Sequence, residues 1–304
     1  MMFAEYALLP CIFDRNNFKD QKIGELHLKN LKEILLHEES LVRDLYGGKW
    51  RQSINNIDSK FPCTKSLLMS LSQRLHRVKA AKAHNPENYM DWCNEALSSH
   101  KEDALDGIIA SPETIKNFQT ETLIASVENL YEADWWTNRS HSVGLDRKTG
   151  DYLKCLKRIL NYANSIIFID PYLDVFKPEY QEFSKILEAI NRSDDPPTIE
   201  IHICHLNSIS PREYEQDFRQ RLTSVIQSQK LSVEVFIWDK FHDRYIISNL
   251  GGIQSGHSFG VSDHPSETTT WTRISRTRRD ELQKEFDRNS NCHKSQHRFV
   301  VEFS

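Results

Sequence analysis

The sequence predicts an α/β protein: a mixed sheet flanked by helices over residues 141–304, preceded by a mainly helical N-terminal region over residues 1–140. Two observations carry this expectation. Beyond about residue 150, short apolar runs alternate with stretches whose apolar residues recur every three or four positions, as happens when helices cover both faces of a sheet. Before residue 130 the helical spacing prevails, and a strand is read only in the first residues.

Composition bounds what such a chain can do. At 304 residues it can bury one large core or two ordinary ones, and 38% hydrophobic with 27% charged residues is a soluble profile with no apolar run of membrane length. The first residues, MMFAEYALLPCIF, carry no basic leader and no small-residue cleavage site, so they read as a first strand and a cytoplasmic protein is expected. A net charge of -4 excludes a protein that coats nucleic acid over its whole surface, while leaving room for a focal basic groove. Six cysteines, Cys11, Cys63, Cys93, Cys155, Cys204 and Cys292, form no C-x-x-C pair and read as reduced core thiols.

Leu31, Ile34, Leu35, Val42 and Leu45 read as one helix that stops at Gly47 and Gly48 through a glycine cap. Thr64 reads as the N-cap of a second helix, with Leu67, Leu68, Leu71, Leu75 and Val78 along its apolar stripe. Further helices are expected over residues 87–99 and 112–131, and the polar stretch 135–148 is a boundary or an entry strand. A helix at 152–163, a strand at 165–169 and a helix at 177–190 follow; Asp194, Asp195, Pro196 and Pro197 then turn the chain into a strand at 199–206. Pro211 opens a long helix to about Gln229, and a strand at 233–238 comes next. The tail adds a strand at 268–274, a helix at 276–289 and a strand at 298–303.

Chemistry concentrates in one stretch, Trp238–Ser258. Alternate residues of a strand share a face, so His242 and Arg244 point together and Asp243 points away. A guanidinium grips phosphate through two parallel hydrogen bonds, and a neutral imidazole beside it can attack phosphorus or move a proton. The plainer alternative is a histidine and an arginine that satisfy carbonyls where a strand begins. Because His242 follows the strand ending at Trp238 after a short connection, the two strands are read as antiparallel neighbours or as one bent strand. Either arrangement brings His242 toward Asp170, which sits at the carboxyl end of its own strand, where ligands of such sheets gather.

The motif H-x-K, then D after four further residues, marks the phospholipase D superfamily. His242, Arg244 and Asn249 occupy those positions, with the last two departing from it. The segment more closely resembles the divergent phospholipase D-like domain at the C-terminus of MIT-domain proteins, which also reads H-D-R before a glycine turn and has an upstream D-P-Y, matched by Asp170, Pro171 and Tyr172. The resemblance extends over roughly residues 145 to 265. It implies a phospholipase D-like α/β domain working without a metal or other cofactor, with His242 as nucleophile, Arg244 as phosphate clamp, and Asp170 and Asn249 as orienting groups. Asp170 would accept the second N–H of His242, or simply cap the loop that follows it. Asn249 could bond a ring but could not stabilise imidazolium by charge. Gly256, His257 and Ser258 stand where such enzymes line the phosphate with a small glycine and serine pair. Arg244, His257 and Ser258 are therefore candidate phosphate contacts, and His257 is otherwise an exposed strand residue.

Phosphodiester cleavage of this type needs two imidazoles, one forming a phosphohistidine and one protonating the leaving group. Single-motif enzymes obtain the second by pairing two chains, so a homodimer is expected unless His257 or His205 supplies it. His27 and Lys29 form another H-x-K, but it lies on a helical stretch. Arg273, Arg276, Arg278 and Arg279, close to Trp271, are the densest basic cluster: either a solvated helix start or a contact for nucleic-acid or anionic-lipid phosphates. The sets His202, Cys204, His205 and Cys292, His293, His297 reach no four-ligand pattern, so no metal site is expected.

Two functions follow. One is a phosphodiesterase, a metal-independent nuclease acting on DNA or RNA, for which the resemblance implies a setting in bacterial antiviral defence or mobile elements. The other is a non-catalytic module that binds nucleic-acid or lipid phosphate while the N-terminal region recruits a protein partner.

Overall fold

A strand buried at every residue, as Glu5–Leu8 and Gly107–Ala110 are, needs cover on both faces of its sheet. The computed structural model describes residues 2–76, 85–118, 120–192, 194–206, 209–264 and 266–303. It divides into two compact units, Phe3–Ser140 and, with the first two residues, His141–Ser304.

In the first unit, β1 (Glu5–Leu8), α1 (Gln21–His37), β2 (Leu41–Arg43), α2 (Leu45–Gly48), α3 (Trp50–Asn55), α4 (Thr64–Leu71), β3 (Leu75–His76), α5 (Tyr89–Glu102), β4 (Gly107–Ala110), α6 (Pro112–Ile115), β5 (Ile124–Ser126) and α7 (Asp134–Thr137) follow in order. The five strands pair only in parallel, in the order β3-β2-β1-β4-β5. The expectation of a mainly helical region missed this sheet. Its strands are two to four residues long, too short to display a two-residue period.

The predicted helix ending at Gly47 in fact stops ten residues earlier, at His37. Glu39 takes the left-handed conformation (φ 52°), and the amides of Glu39 and Ser40 bond the carbonyls of Leu36 and Leu35. That is a helix-ending motif in which glutamate stands where glycine is usual, so no glycine marked the stop. Val42 then lies on β2, while Gly47 and Gly48 carry positive φ inside the short α2 turn. Likewise Thr64 is the first residue of α4 rather than its cap, Leu75 belongs to β3, and Val78 lies outside the described residues. The predicted helix at 112–131 is only α6, after which the chain extends into β5. A buried ion pair ties the layers together: Arg43 Nε reaches Glu5 Oε1 at 2.6 Å, and its Nη1 donates to the Ser99 hydroxyl and the Asp103 carbonyl.

The second unit holds β6 (Ser142–Asp146), α8 (Thr149–Tyr162), β7 (Ser165–Ile169), α9 (Phe183–Glu188), β8 (Thr198–Ile203), α10 (Pro211–Ser228), β9 (Ser232–Trp238), β10 (Tyr245–Ser248), β11 (Gly252–Ser255), β12 (Thr268–Ile274), α11 (Arg276–Glu285) and β13 (Ser295–Glu302). Its mixed eight-stranded sheet runs β13-β9-β8-β7-β10-β11-β12-β6, with β7, β8 and β9 parallel and the remaining pairs antiparallel. Ser210 caps α10 in a reciprocal box with Glu213, and Pro211 occupies its first turn. On one face Phe168 packs edge-on against Phe183 and Phe259. On the other, Ile169, Cys204, Phe236, Trp238, Phe241, Tyr245 and Ile247 gather with Leu282 of α11 and Phe286, the residue that follows it. Among the cysteines, Cys63 is half-buried and Cys292 exposed, so Cys292 is not a core thiol. Among the described residues, no helix is long and apolar enough to cross a membrane.

Within the α11-facing layer, the His202 ring lies parallel to Phe236 at 4.7 Å. Its Nδ1 accepts the indole N–H of Trp238 at 2.9 Å, and its Nε2 faces Glu200 at 3.3 Å. Burial lowers the pKa of this ring, with His293 adding to that and Glu200 and Glu234 opposing it. A depressed histidine contributes stability that is present above its ordinary value of 6.5 and lost as pH falls through the folded-state value. Below pH 6.5 the unit should lose stability by up to about 1.4 kcal/mol per pH unit from this group. Urea melts between pH 7.5 and 5.5 check this: the stability gap between wild type and His202→Phe should narrow toward acid, and a constant gap contradicts it.

Candidate functional site

The site assembles where β7 ends and β10 begins. Tyr245 pairs with Ile169 in antiparallel register, and one more step along that register sets Arg244 opposite Asp170. The expected neighbour of β10 was the strand ending at Trp238. Instead β8 and β7 lie between them, because the connection 239–244 crosses the end of the sheet rather than turning back on its own strand. The crossing still delivers His242 and Arg244 to the carboxyl end of β7.

Asp170 is fully buried. Its oxygens accept the Tyr172 amide at 3.1 Å, the Phe259 amide at 2.8 Å and the Tyr180 hydroxyl at 3.0 Å. Burial pushes its pKa up, while these donors and the Arg244 charge pull it back only in part. The same burial, and then the Asp170 charge, push the Tyr180 phenol up, so it remains a donor. Of the two roles considered for Asp170, the geometry takes the cap: it pins the turn that follows it and the loop carrying Ser258 and Phe259.

Arg244, half-buried, stands with Cζ 5.1 Å above the Tyr172 ring. Its Nε is buried with no hydrogen-bond partner among the described residues. The same Tyr172 ring stacks on His205 at 4.7 Å, and the His205 ring lies 6.2 Å from that of His242. Pro171's carbonyl accepts the His205 amide at 2.7 Å, which fixes the residue to the Asp170 turn. His242 is exposed. The arrangement is a cation on an aromatic floor beside two imidazoles, above a buried carboxylate.

The remaining sequence candidates separate. Asn249 lies at the far end of β10, where its Oδ1 accepts the Asn164 amide at 2.8 Å, so it is a turn residue and does not orient His242. Asn249→Ala should cost about 1 kcal/mol of stability and leave any phosphodiester chemistry within about twofold. Parallel kinetics and urea melts check this, and a tenfold loss of rate would return the amide to the site. Ser258 is half-buried beside Tyr180, whereas His257 is exposed, with its carbonyl accepting Ser255 Oγ at 2.5 Å.

The four arginines differ in exposure and partner. Arg273 pairs with His141 Nδ1 at 2.6 Å, Arg276 is exposed, Arg278 lies over Tyr245 and bonds Glu281, and buried Arg279 bonds Asp280. The negative charge that offsets Arg278 and Arg279 at the start of α11 comes from Glu281 and Asp280 of the helix itself. The two histidine and cysteine sets also disperse: Cys204 Sγ meets the Phe241 carbonyl, His293 stacks on Phe286, and His297 bonds Glu215. Among the described residues, no group of three or more His, Cys, Asp or Glu side chains is arranged to hold a metal. A cavity of about 330 Å³ opens beside Ser165 and Thr198, at the opposite ends of β7 and β8 from Asp170.

Sequence reasoning named His205 only as an alternative and passed over Tyr180. The usable signal for His205 was its place just past the end of a parallel strand neighbouring that of Asp170.

No family model matches the chain, and no curated protein matches it. Solved structures that overlap with it include TrmBL2, an archaeal chromatin protein described as showing a novel mode of DNA binding, at 13% identity and a TM-score of 0.29, over 81% of this chain and 87% of that one. Polyphosphate kinase from Porphyromonas gingivalis overlaps at 11% identity and a TM-score of 0.33, over 74% of this chain and 34% of the kinase. With overlaps this small, function is read from the chain's own side chains.

Proposed function

We propose that the second unit is a phospholipase D-like phosphodiesterase that cleaves DNA or RNA without a metal, with a setting in bacterial defence or mobile elements that rests on the resemblance. The observation that carries the reading is the Arg244 guanidinium, held over Tyr172 with its buried Nε unbonded among the described residues, at the turn that also carries His205 against His242. A buried donor without a partner is expensive in a folded protein, and a phosphate oxygen would satisfy it. His242, exposed at the rim, is the nucleophile; Arg244 holds the phosphoryl oxygens; Asp170 keeps the floor of the site in place through Tyr172, Tyr180 and Phe259. Ser258, next to Tyr180, is the second polar contact for phosphate.

The test is incubation of the purified chain with single- and double-stranded DNA and RNA in EDTA. Cleavage that survives chelation supports the enzyme. Retention of the oligonucleotides without cleavage, lost in Arg244→Ala, supports instead a binding module, a reading favoured by the arginine and asparagine at the motif's lysine and aspartate positions. Neither cleavage nor retention overturns both. Including anionic-lipid vesicles in the binding arm separates nucleic-acid from headgroup phosphate.

A further inference from the structure

We propose that His205 supplies the second imidazole from within the same chain, as the acid that protonates the departing ester oxygen, so that one copy of the protein carries the whole reaction. The inference rests on His242 being the nucleophile. Two rings that serve one phosphoryl group have a required spacing. The attacking nitrogen sits about 3–3.5 Å from phosphorus and the acid about 2.8 Å from the leaving oxygen, so the two reacting nitrogens stand roughly 6–7 Å apart. The His205 and His242 ring centroids are 6.2 Å apart with the rings inclined at 37°, so the two imidazoles border one space, and a turn of the exposed His242 side chain sets its nitrogen across a phosphoryl group held between them.

His205 is also held as a working acid needs to be. One face rests on Tyr172 at 4.7 Å, and its amide is tied to the Pro171 carbonyl at 2.7 Å, so the ring belongs to the same turn as the Asp170 anchor. Arg244 lies over that same tyrosine, which places the phosphate clamp and the acid on one support.

The step balances as follows. The neutral nitrogen of His242 attacks phosphorus, the bond to one ester oxygen breaks, and that oxygen leaves with the electron pair and takes a proton from His205 imidazolium. Water then attacks the phosphohistidine, neutral His205 takes a proton from it, and the P–N bond breaks to release a phosphomonoester and His242. His205 ends protonated, ready for the next turnover.

The experiment compares two substrates in EDTA, a dinucleotide with an ordinary alkoxide leaving group and a p-nitrophenyl ester of a nucleotide, whose leaving group departs without a proton. In the first turnover, before the water step that also uses His205, His205→Gln is expected to slow release of the dinucleotide's alcohol about 10²- to 10⁴-fold and the burst of nitrophenolate by less than about tenfold. Retained nitrophenyl activity also shows that the variant is folded. The rate per chain is expected to be independent of protein concentration, and mixing His242→Ala with His205→Gln is expected to restore nothing. Equal losses on both substrates in the first turnover, or recovery of activity on mixing, overturn the role of His205 while leaving His242 as nucleophile. A wild-type chain that cleaves neither substrate overturns the phosphodiesterase reading and this inference together.

Discussion

His242→Ala is expected to lower phosphodiester cleavage in EDTA by on the order of 10³-fold or more, because the variant loses the atom that bonds to phosphorus and not merely a hydrogen bond. The side chain is exposed and is not part of either buried layer, so folding should be unaffected. Arg244 and its Tyr172 support are untouched, so oligonucleotide binding should persist within a few-fold. Steady-state rates and equilibrium binding on the same preparation check both halves. A variant that cleaves at the wild-type rate removes the nucleophile from the proposal, whatever else the site does. A variant that binds no longer would show that the imidazole is a phosphate contact instead.

Asp170→Asn is expected to destabilise the second unit by about 2–4 kcal/mol and to reduce cleavage with it. The carboxylate accepts from three donors, the amides of Tyr172 and Phe259 and the hydroxyl of Tyr180, in a place closed to water. An asparagine of the same shape has one accepting oxygen, and its amide hydrogens must face N–H or O–H donors however it is turned. The loop holding Ser258 and Phe259 would then lose its tie to the end of β7, so the phosphate pocket should loosen along with the core. Urea unfolding followed by tryptophan fluorescence gives the stability change. An asparagine variant as stable as wild type would contradict the capping role assigned to the carboxylate.

How much of this was legible beforehand depends on element length and on who pairs with whom. Thr268–Ile274 and Ser165–Ile169 were read residue for residue, and the proline-led α10 nearly so, because each is long enough to show its period or its cap. The parallel sheet of the first unit escaped because three-residue strands such as Leu41–Arg43 have no period, and because Glu39 ends α1 without a glycine. In the candidate site, His242 and Arg244 were singled out by type and spacing and Asp170 by the D-P-Y resemblance, and the pairing of β10 with β7 brings Arg244 opposite Asp170. Asn249 was assigned wrongly, since a motif position seven residues from the histidine says nothing about which end of β10 it occupies.

The sequence by itself determined the α/β class of the second unit and the identity of the residues suited to phosphate, because strand and helix periods and side-chain chemistry are local properties. Only the tertiary structure decided that β10 lies against β7, that Asp170 is a buried cap, that Arg278 and Arg279 bond carboxylates of their own helix, and that the His205 ring lies near that of His242. Those are long-range pairings, selected by the packing of whole sheet faces, and no short window of residues contains the information that chooses among them.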